Sequence, residues 1–388
     1  MKKFLCFCLL VILMIVPLTG CKAEESKLNV YTYQLDPVFS ITPLVRMIGR
    51  DGLTKETITK LNQRLKELDD MFNPYNEKSM LSKLNKEKTL EVSDEFIYLL
   101  KTGFQTGEDT KVNGVRKYQL SMFPVFSLWK FKDNYYNFLS DNKIDKIPSD
   151  TEIKKTISYV DDDKIKIEGN KVTLGENQMI DLGSIAKGYG ADEVRKILEE
   201  KKVKSAIIDI GGNIVLLGKN IASKEKGFKV KIRTPETPKE VFLELNDETN
   251  YLGYIYGRDT SVVTSGTYER FVKLLETVGG GFKITDFHHI LDYETGYPMF
   301  YDPVKKEYKK ERLVSVSIIT PNSAKADSLS TSVFCMGLVK GLEFVNKLND
   351  VEAIFVTGDK RVYVSNGLKN EFVFNTNLVQ RGYKYVKD

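Results

Sequence analysis

Two strand-turn-strand patterns constrain the fold of this 388-residue chain more than any other feature of its sequence. Residues 164–174 alternate between polar and apolar side chains on both sides of Glu168-Gly-Asn170. Apolar runs at 205–210 and 213–217 flank Gly211-Gly212 in the same way. Short turns of this kind join antiparallel strands. Because helical patterns are mixed irregularly with these hairpins, the sequence predicts an α+β fold with mixed or antiparallel sheets and packed helices, rather than a doubly wound parallel sheet.

Periodicity places the other main elements. Apolar residues recur with helical spacing after Thr54 and again after Ser93, and each of these two residues suits a helix N-cap. Continuous or alternating apolar runs predict strands at 38–48, 179–182 and 313–320, and a helix is predicted from Ala186 to Glu200.

The N-terminus has the pattern of an export signal. Lys2 and Lys3 precede an apolar run at 4–17, and Leu18-Thr-Gly-Cys21 follows. The last four residues resemble a bacterial lipobox, which implies cleavage before Cys21, a diacylglyceryl thioether on its sulfur and a mature protein anchored by lipid to the extracytoplasmic face of the cell membrane. An ordinary signal peptide and an uncleaved anchor are the alternatives. Residues 1–20 are therefore predicted as signal and 21–29 as a tether, followed by one domain at 30–388.

Cysteine content and charge restrict the chemistry further. Cys6 and Cys8 leave with the predicted signal, so Cys335 is the one unmodified thiol and no intramolecular disulfide is expected. Its apolar neighbours indicate a small buried side chain. The formal net charge of +5 includes Lys2 and Lys3, so the mature chain carries +3. This charge is too small to indicate a nucleic-acid surface.

Asp327 and Thr331 form the candidate metal site. They lie four residues apart in Ala326-Asp-Ser-Leu-Ser-Thr331, a spacing that places a carboxylate and a hydroxyl on one helix face. The strand predicted at 313–320 runs into Pro321-Asn-Ser323, so Asp327 is expected near the start of a helix. Two hard oxygens in this arrangement suit Mg²⁺. A solvated helix face is the alternative interpretation.

Asp181 and Lys187 form a candidate anion site at a strand-to-helix corner. Asp181 ends the predicted strand, Gly183 occupies the turn, and Lys187 lies in the first helical turn. Backbone N–H groups at a helix start together with a lysine can bind a phosphate-bearing ligand, and Asp181 could accept a hydrogen bond from a base or ribose. A tight structural turn with an exposed lysine is the other interpretation.

Two further segments carry polar groups at predicted strand ends. His288 and His289 are the chain's two histidines, which excludes a metal site built from several imidazoles. His289 could transfer a proton, since an unperturbed imidazole has a pKa near ~6.5, or it could hold a phosphate. A structural histidine in the following turn is the alternative. Ser265 and Gly266, after Val262-Val263, are predicted to contact a ligand through the backbone.

Seven short motifs together give a more specific signal than any of them alone. In chain order they are Asn73-Pro-Tyr75-Asn-Glu-Lys-Ser79 with Leu84-Asn85, Pro124-Val-Phe-Ser-Leu-Trp129, Asp181-Leu-Gly-Ser-Ile-Ala-Lys187-Gly-Tyr, Ile210-Gly-Gly-Asn213, Thr264-Ser-Gly-Thr-Tyr268-Glu-Arg270, His289-Ile-Leu-Asp292-Tyr-Glu-Thr-Gly296 and Ala326-Asp-Ser-Leu-Ser-Thr331. This series resembles the ApbE family of FAD:protein FMN transferases over nearly the whole mature chain.

The resemblance implies two lobes enclosing a flavin-binding cleft, and it assigns expected roles to matching residues. Residues expected to contact FAD are Tyr75, Tyr118, Gln119, Asp181, Lys187, Ser265, Gly266 and His289. Expected Mg²⁺ ligands are Asp327, Thr331 and the backbone carbonyl of Ser184. The chain departs from the family pattern at Lys117-Tyr-Gln-Leu-Ser121, where the family usually shows Asp-Pro-Thr, and at Thr267, where Asp is frequent.

The implied reaction is Mg²⁺-dependent transfer of FMN from FAD to a Thr or Ser hydroxyl of an exported acceptor protein, with release of AMP. The family precedent points to membrane redox subunits that carry an Asp-x-x-Ser/Thr-Gly-Ala-Thr/Ser motif. Two other functions remain open on the sequence. In one, water replaces the acceptor hydroxyl and the protein is an FAD pyrophosphatase. In the other, the protein is a lipoprotein that binds flavin without catalysis.

Overall fold

The computed structural model describes residues 27–131, 147–236, 248–278 and 281–387. The predicted signal peptide and Cys21 lie outside these residues. The helices are α1 (Lys55–Phe72), α2 (Met80–Glu87), α3 (Asp94–Asp109), α4 (Phe123–Trp129), α5 (Asp150–Ile157), α6 (Ala186–Glu200) and α7 (Ser323–Val345). The strands are β1 (Asn29–Gln34), β2 (Leu44–Gly49), β3 (Thr89–Glu91), β4 (Lys166–Glu168), β5 (Lys171–Thr173), β6 (Ser205–Ile210), β7 (Asn213–Gly218), β8 (Phe228–Arg233), β9 (Tyr251–Gly257), β10 (Thr260–Gly266), β11 (Phe271–Val278), β12 (Gly281–His288), β13 (Tyr301–Asp302), β14 (Glu307–Tyr308), β15 (Leu313–Thr320), β16 (Glu352–Thr357), β17 (Arg361–Val364), β18 (Val373–Phe374) and β19 (Lys384–Tyr385).

A nine-stranded sheet in the order β1-β2-β6-β7-β10-β15-β16-β17-β19 forms the centre of the described structure. Its neighbouring strands pair antiparallel, except for the parallel pair β17 and β19. Two three-stranded sheets, β18-β9-β8 and β3-β5-β4, and the hairpins β11-β12 and β13-β14 complete the strand pairing. The predicted α+β class with mixed and antiparallel sheets is confirmed.

Three helices position the functional residues against this sheet. Leu61 and Leu65 of α1, Val194 of α6 and Ile208 of β6 belong to one buried cluster. A second cluster joins α7 to β10 and β15 and includes Val333. Burying each such side chain stabilises the fold by roughly 1.5–3 kcal/mol relative to leaving it in water. This packing sets α6 against α1 and β6, and α7 against β10 and β15.

Within the described residues, α7 is the one helix long and apolar enough to cross a membrane. Half of its most apolar stretch is buried in the protein, and Cys335 on this helix is fully enclosed. Burial raises the pKa of the Cys335 thiol well above its usual range. These contacts are those of a core helix, and the predicted role of Cys335 as a buried apolar side chain is confirmed.

The structure confirms the hairpins β4-β5 and β6-β7, the helix Ala186–Glu200 and the strand Leu313–Thr320. The strand predicted at 38–48 is wrong in its first half. Phe39 and Ser40 adopt positive φ values of 50° and 61°, which turn the chain and delay the strand until Leu44. The folded part also begins slightly early, because β1 starts at Asn29, the last residue of the predicted tether.

The strand predicted at 179–182 is also wrong. This segment pairs with none of the described strands, and the polar backbone atoms of Ile180 bond to a side chain instead. Asn85 Nδ2 donates to the Ile180 carbonyl at 2.8 Å, and the Ile180 N–H donates to Asn85 Oδ1 at 2.7 Å. One buried amide therefore replaces a neighbouring strand and fixes the approach to Asp181.

Candidate functional site

The first turns of α6 and α7 meet at the centre of the candidate site. The Gly188 N–H donates to Asp327 Oδ2 at 2.9 Å. A Cβ atom at position 188 would lie 2.2 Å from the Ser323 carbonyl oxygen and 2.8 Å from Asp327 Cβ. Only glycine allows this approach, which brings α6 close enough for a backbone N–H to reach the carboxylate.

Lys187 supplies the positive charge beside Asp327. Its Nζ lies 3.4 Å from both carboxylate oxygens of Asp327 and donates to the Gly183 carbonyl at 2.6 Å. Asp327 is 4% exposed, so its charge is largely removed from water. A buried carboxylate is stable only with compensating charge or hydrogen bonds, and Lys187 and Gly188 provide both.

The backbone carbonyl of Ser184 is available at the same corner. In a regular helix it would accept the Gly188 N–H, but that group donates to Asp327. In the described part of the chain, no backbone N–H donates to the Ser184 carbonyl. The Ser184 hydroxyl shares a 2.7 Å hydrogen bond with the Tyr118 hydroxyl, which holds this turn in place.

A group of small hydroxyls lies where β10 ends against α7. Ser265 Oγ is 2.8 Å from Ser330 Oγ and 3.2 Å from Thr331 Oγ1. Gly266 is the last residue of β10, as predicted, and its backbone is covered by the Tyr268 ring. The structure thus places Ser265 beside Thr331, which follows Asp327 by one helical turn.

Asp181 lies at the entrance to α6. Its carboxylate accepts the Gly183 N–H at 2.8 Å, and its own N–H donates to the Leu120 carbonyl at 2.9 Å. Enclosure by protein raises the pKa of Asp181, while the Gly183 N–H and the charges of Lys187 and Arg270 oppose that rise. The Asp181 carboxylate lies where it could accept a hydrogen bond from a ligand at the start of α6.

Sequence reasoning missed Asp162, which holds the segment containing Tyr118 and Gln119. Its carboxylate accepts the N–H groups of Leu120 and Ser121, each at 2.9 Å, and the Ser121 hydroxyl at 2.6 Å. Burial raises the pKa of Asp162. In the sequence Asp162 is the middle residue of Asp161-Asp-Asp163. A run of three acidic residues is typical of an exposed segment, so the sequence does not indicate that Asp162 is buried.

Tyr118 and Tyr75 differ in how they could meet a flavin. Tyr118 is fully buried, so its described role is to support Ser184 through the hydroxyl. The Gln119 side chain accepts the Asp162 N–H at 3.4 Å. Tyr75 is 41% exposed and lies edge-on to Phe123, with ring centroids 5.7 Å apart. Its ring is accessible for stacking, and the flavin contacts predicted for all three remain predictions.

His289 lies at the base of the β11-β12 hairpin. Its Nδ1 and its backbone N each lie 3.1 Å from the Arg270 carbonyl oxygen. Enclosure of the ring, together with the charge of Arg270, lowers the pKa of His289 to about 3. The unperturbed value near ~6.5 applies to a hydrated ring, and burial together with Arg270 moves the pKa of His289 below it. A neutral imidazole with Nδ1–H bonded to Arg270 leaves Nε2 as an acceptor.

His288 has a structural role. It is 2% exposed, its Nε2 lies 3.1 Å from the Met299 carbonyl oxygen, and its ring stacks on Tyr308. Burial lowers the pKa of His288 to about 3.

Because this value lies below that of the unfolded chain, we expect His288 to make the protein less stable as pH falls from ~6.5 towards 3. The unfolded state takes up a proton in that window and the folded state does not. At pH 5.5 the loss attributable to His288 is about 1.4 kcal/mol relative to pH 7.5. Urea unfolding of the wild type and of His288→Gln at both pH values measures it. An equal drop in both proteins would contradict the assignment.

The sequence signature of the ApbE family matches residues 35–355. The chain belongs to the ApbE family. A relative from Treponema pallidum, named FAD:protein FMN transferase, is 36% identical over 196 residues, which cover 49% of this chain and 46% of that protein. The chain thus spans less than half of that relative's length. A Haemophilus influenzae protein of the same name is 26% identical over 356 residues, covering 88% of this chain and 90% of that protein.

Solved structures of the family have the same fold. The flavin transferase ApbE from Vibrio cholerae superposes with a TM-score of 0.67 at 22% identity, covering 88% of this chain and 100% of that chain. The ApbE protein from Thermotoga maritima gives a TM-score of 0.68 at 24% identity, covering 88% and 98%. These likenesses show that the chain shares the overall fold of the family.

Proposed function

We propose that this protein is a Mg²⁺-dependent FAD:protein FMN transferase, which moves the FMN part of FAD to a Thr or Ser hydroxyl of an acceptor protein and releases AMP. The observation that carries the proposal is the junction where Asp327 contacts Lys187 and the Gly188 N–H. It unites two motifs of the ApbE family that are 139 residues apart in the chain. The activity named for the curated relatives supports the same reaction.

The donor groups at the junction fit Mg²⁺. Asp327 offers a carboxylate oxygen beyond the one that accepts the Gly188 N–H, Thr331 offers a hydroxyl, and Ser184 offers its backbone carbonyl. All three are hard oxygens, the ligand type that Mg²⁺ prefers. The described residues contain no cluster of three or more His, Cys, Asp and Glu side chains. A site with one carboxylate suits Mg²⁺ that shares its coordination with substrate phosphate and water.

The reaction is a phosphoryl transfer. The acceptor hydroxyl oxygen forms a bond to the FMN-side phosphorus of FAD, the bond from that phosphorus to the bridging oxygen breaks, and AMP leaves with the bridging oxygen. Bound Mg²⁺ would supply charge neutralisation at the phosphates. Lys187 adds positive charge next to them, and Asp181 and Tyr75 orient the rest of the nucleotide. His289 is the proposed catalytic imidazole. Because its pKa is lowered, its Nε2 acts as a hydrogen-bond acceptor that orients the attacking hydroxyl or a phosphate, while the hydroxyl proton passes to water.

The proposal includes the cellular setting. The motif around Cys21 supports an exported lipoprotein held on the extracytoplasmic face of the cell membrane, although Cys21 lies outside the described residues. The acceptor is then an exported protein, in keeping with a membrane redox subunit. Nucleic acid is not a partner in this proposal.

The test uses the full chain in detergent with FAD, Mg²⁺ and an acceptor domain carrying the Asp-x-x-Ser/Thr-Gly-Ala-Thr/Ser motif. We expect flavin fluorescence to migrate with the acceptor on a denaturing gel and AMP to form in equal amount. An acceptor whose attacking hydroxyl residue is replaced by alanine is the control. AMP and free FMN without acceptor labelling would indicate a pyrophosphatase. FAD bound without AMP formation would indicate a binding protein.

A further inference from the structure

The first three N–H groups of α7 have no carbonyl partner within the helix, yet each of them has a hydrogen-bond acceptor. The Ser323 and Ala324 N–H groups donate to the two carboxylate oxygens of Asp192, at 3.0 and 2.9 Å. The Lys325 N–H donates to the Asn322 side chain at 2.7 Å, and the Ala326 N–H donates to the Asn322 carbonyl at 3.0 Å. Asp192, a residue on another helix, therefore accepts two of the three N–H groups that need a cap at the start of α7.

Asp192 belongs to α6 and follows Gly188 by four residues, which places both on one face of that helix. Hydrogen bonds therefore connect α6 and α7 in both directions, since each helix donates N–H groups to a carboxylate of the other. Gly188 donates its N–H to a carboxylate on α7, and Asp192 accepts N–H groups from the start of α7. The close contact between position 188 and the Ser323 carbonyl lies between these two attachments.

We propose that Asp192 is a positioning residue: by fixing the first turn of α7, it holds the Asp327 carboxylate against Lys187 and the Gly188 N–H. Asp327 lies one turn beyond the residues that Asp192 binds, so rotation or fraying of that turn moves the carboxylate. The consequence for catalysis rests on the proposed transferase function. The structural consequence does not depend on it.

The charges around Asp192 make this attachment sensitive to pH. Enclosure raises the pKa of Asp192 to about 6, the two N–H groups and Arg195 oppose the rise, and Glu193 adds to it. Arg195 also bonds Glu199 at 2.9 Å and lies 3.5 Å from the Pro321 carbonyl oxygen. Above this pKa both carboxylate oxygens accept. Protonation turns one of them into a neutral hydroxyl oxygen, a weaker acceptor for an N–H group, so the attachment weakens as pH falls through 6.

The experiment compares Asp192→Asn with Thr54→Ala in the full chain. Thr54 caps α1 by accepting the Thr57 N–H at 3.2 Å, so its loss weakens a helix cap remote from the junction. At pH 7.5, hydrogen exchange at the Gly188 amide should be at least tenfold faster in Asp192→Asn than in the wild type, and unchanged in Thr54→Ala. This readout requires neither FAD nor activity.

The kinetic arm uses the transfer assay. At pH 8 we expect Asp192→Asn to lower kcat at least tenfold, with the KM for FAD within threefold of the wild type. At pH 5 the two rates should lie within about threefold, because the wild-type carboxyl is then protonated. Unchanged exchange at Gly188, or a kcat deficit that is equal at both pH values, would overturn the proposal. Absence of transfer by the wild type would refute the proposed function, and the exchange measurement would still decide the role of Asp192.

Discussion

Replacement of Asp327 by asparagine is expected to lower the rate of FMN transfer by about a thousandfold or more, the scale on which preorganised charge contributes to catalysis. The amide keeps the size of the side chain but removes the negative charge that a divalent cation requires. It also leaves Lys187, which lies 3.4 Å from both carboxylate oxygens, without its partner charge. Initial rates of acceptor labelling over a range of Mg²⁺ concentrations measure the effect.

Asp350→Asn is the matched control for this substitution. Asp350 is exposed, and its carboxylate accepts a hydrogen bond at 2.9 Å from Lys325 of α7, the helix that also carries Asp327. The control therefore makes the same chemical change, aspartate to asparagine, beside a lysine. Exposed ion pairs of this kind contribute about 0–1 kcal/mol, and activity should be retained. If Asp327→Asn keeps a rate within threefold of the wild type at saturating Mg²⁺, the metal assignment is wrong.

Substitution of Gly188 by alanine is expected to lower the free energy of unfolding by about 3 kcal/mol, the upper part of the range for overpacked sites. The added Cβ would lie 2.2 Å from the Ser323 carbonyl oxygen and 2.6 Å from its carbonyl carbon, and backbone atoms cannot rotate away. The helices must separate, which withdraws Asp327 from the Gly188 N–H. Displacement of a catalytic group by about 1 Å can cost roughly a hundredfold in rate, and we expect a loss of that size.

Gly190→Ala provides a control two residues further along α6. A Cβ at position 190 would meet the nearest atoms, in Leu65 and Ile210, at 3.5 and 3.6 Å, which is ordinary contact. Alanine is favoured over glycine in a helix interior by about 1 kcal/mol, so this variant should be as stable as the wild type or more stable. Urea unfolding and transfer rates of both variants test the pair. Equal stability of the two variants would show that α6 and α7 are not in close contact at Gly188.

Local signals predicted much of the fold because they act over a few residues. The glycine turns at 169 and 211–212 specified the hairpins, and Thr54 and Ser93 specified helix starts by accepting N–H groups three residues on. Two strand predictions differ from the structure, and one of them, at 38–48, fails because Phe39 and Ser40 turn the chain with positive φ values. The other, at 179–182, forms no strand because Asn85, almost a hundred residues earlier, bonds both polar backbone atoms of Ile180.

In the candidate site, too, the sequence indicated residues that belong to short motifs but not residues whose role depends on distant contacts. The motifs indicated Asp181, Lys187, Asp327 and Thr331 by residue type and spacing. They did not indicate Asp162 or Asp192, since a carboxylate that accepts backbone N–H groups needs no particular neighbours in the sequence. The sequence also could not predict the lowered pKa of His289, because that shift depends on burial of the ring and on the charge of Arg270 in the folded protein.

By itself the sequence determined the α+β class, several of the main elements, the family and a set of candidate site residues, because periodicity, turn residues and short motifs are local properties. Only the tertiary structure decided how those residues meet. The contact between Gly188 and Ser323 sets the distance between α6 and α7, and Asp192 fixes the start of α7. Both depend on close packing between segments more than a hundred residues apart, where a few tenths of an ångström determine whether a carboxylate, a lysine and a backbone N–H can share one site.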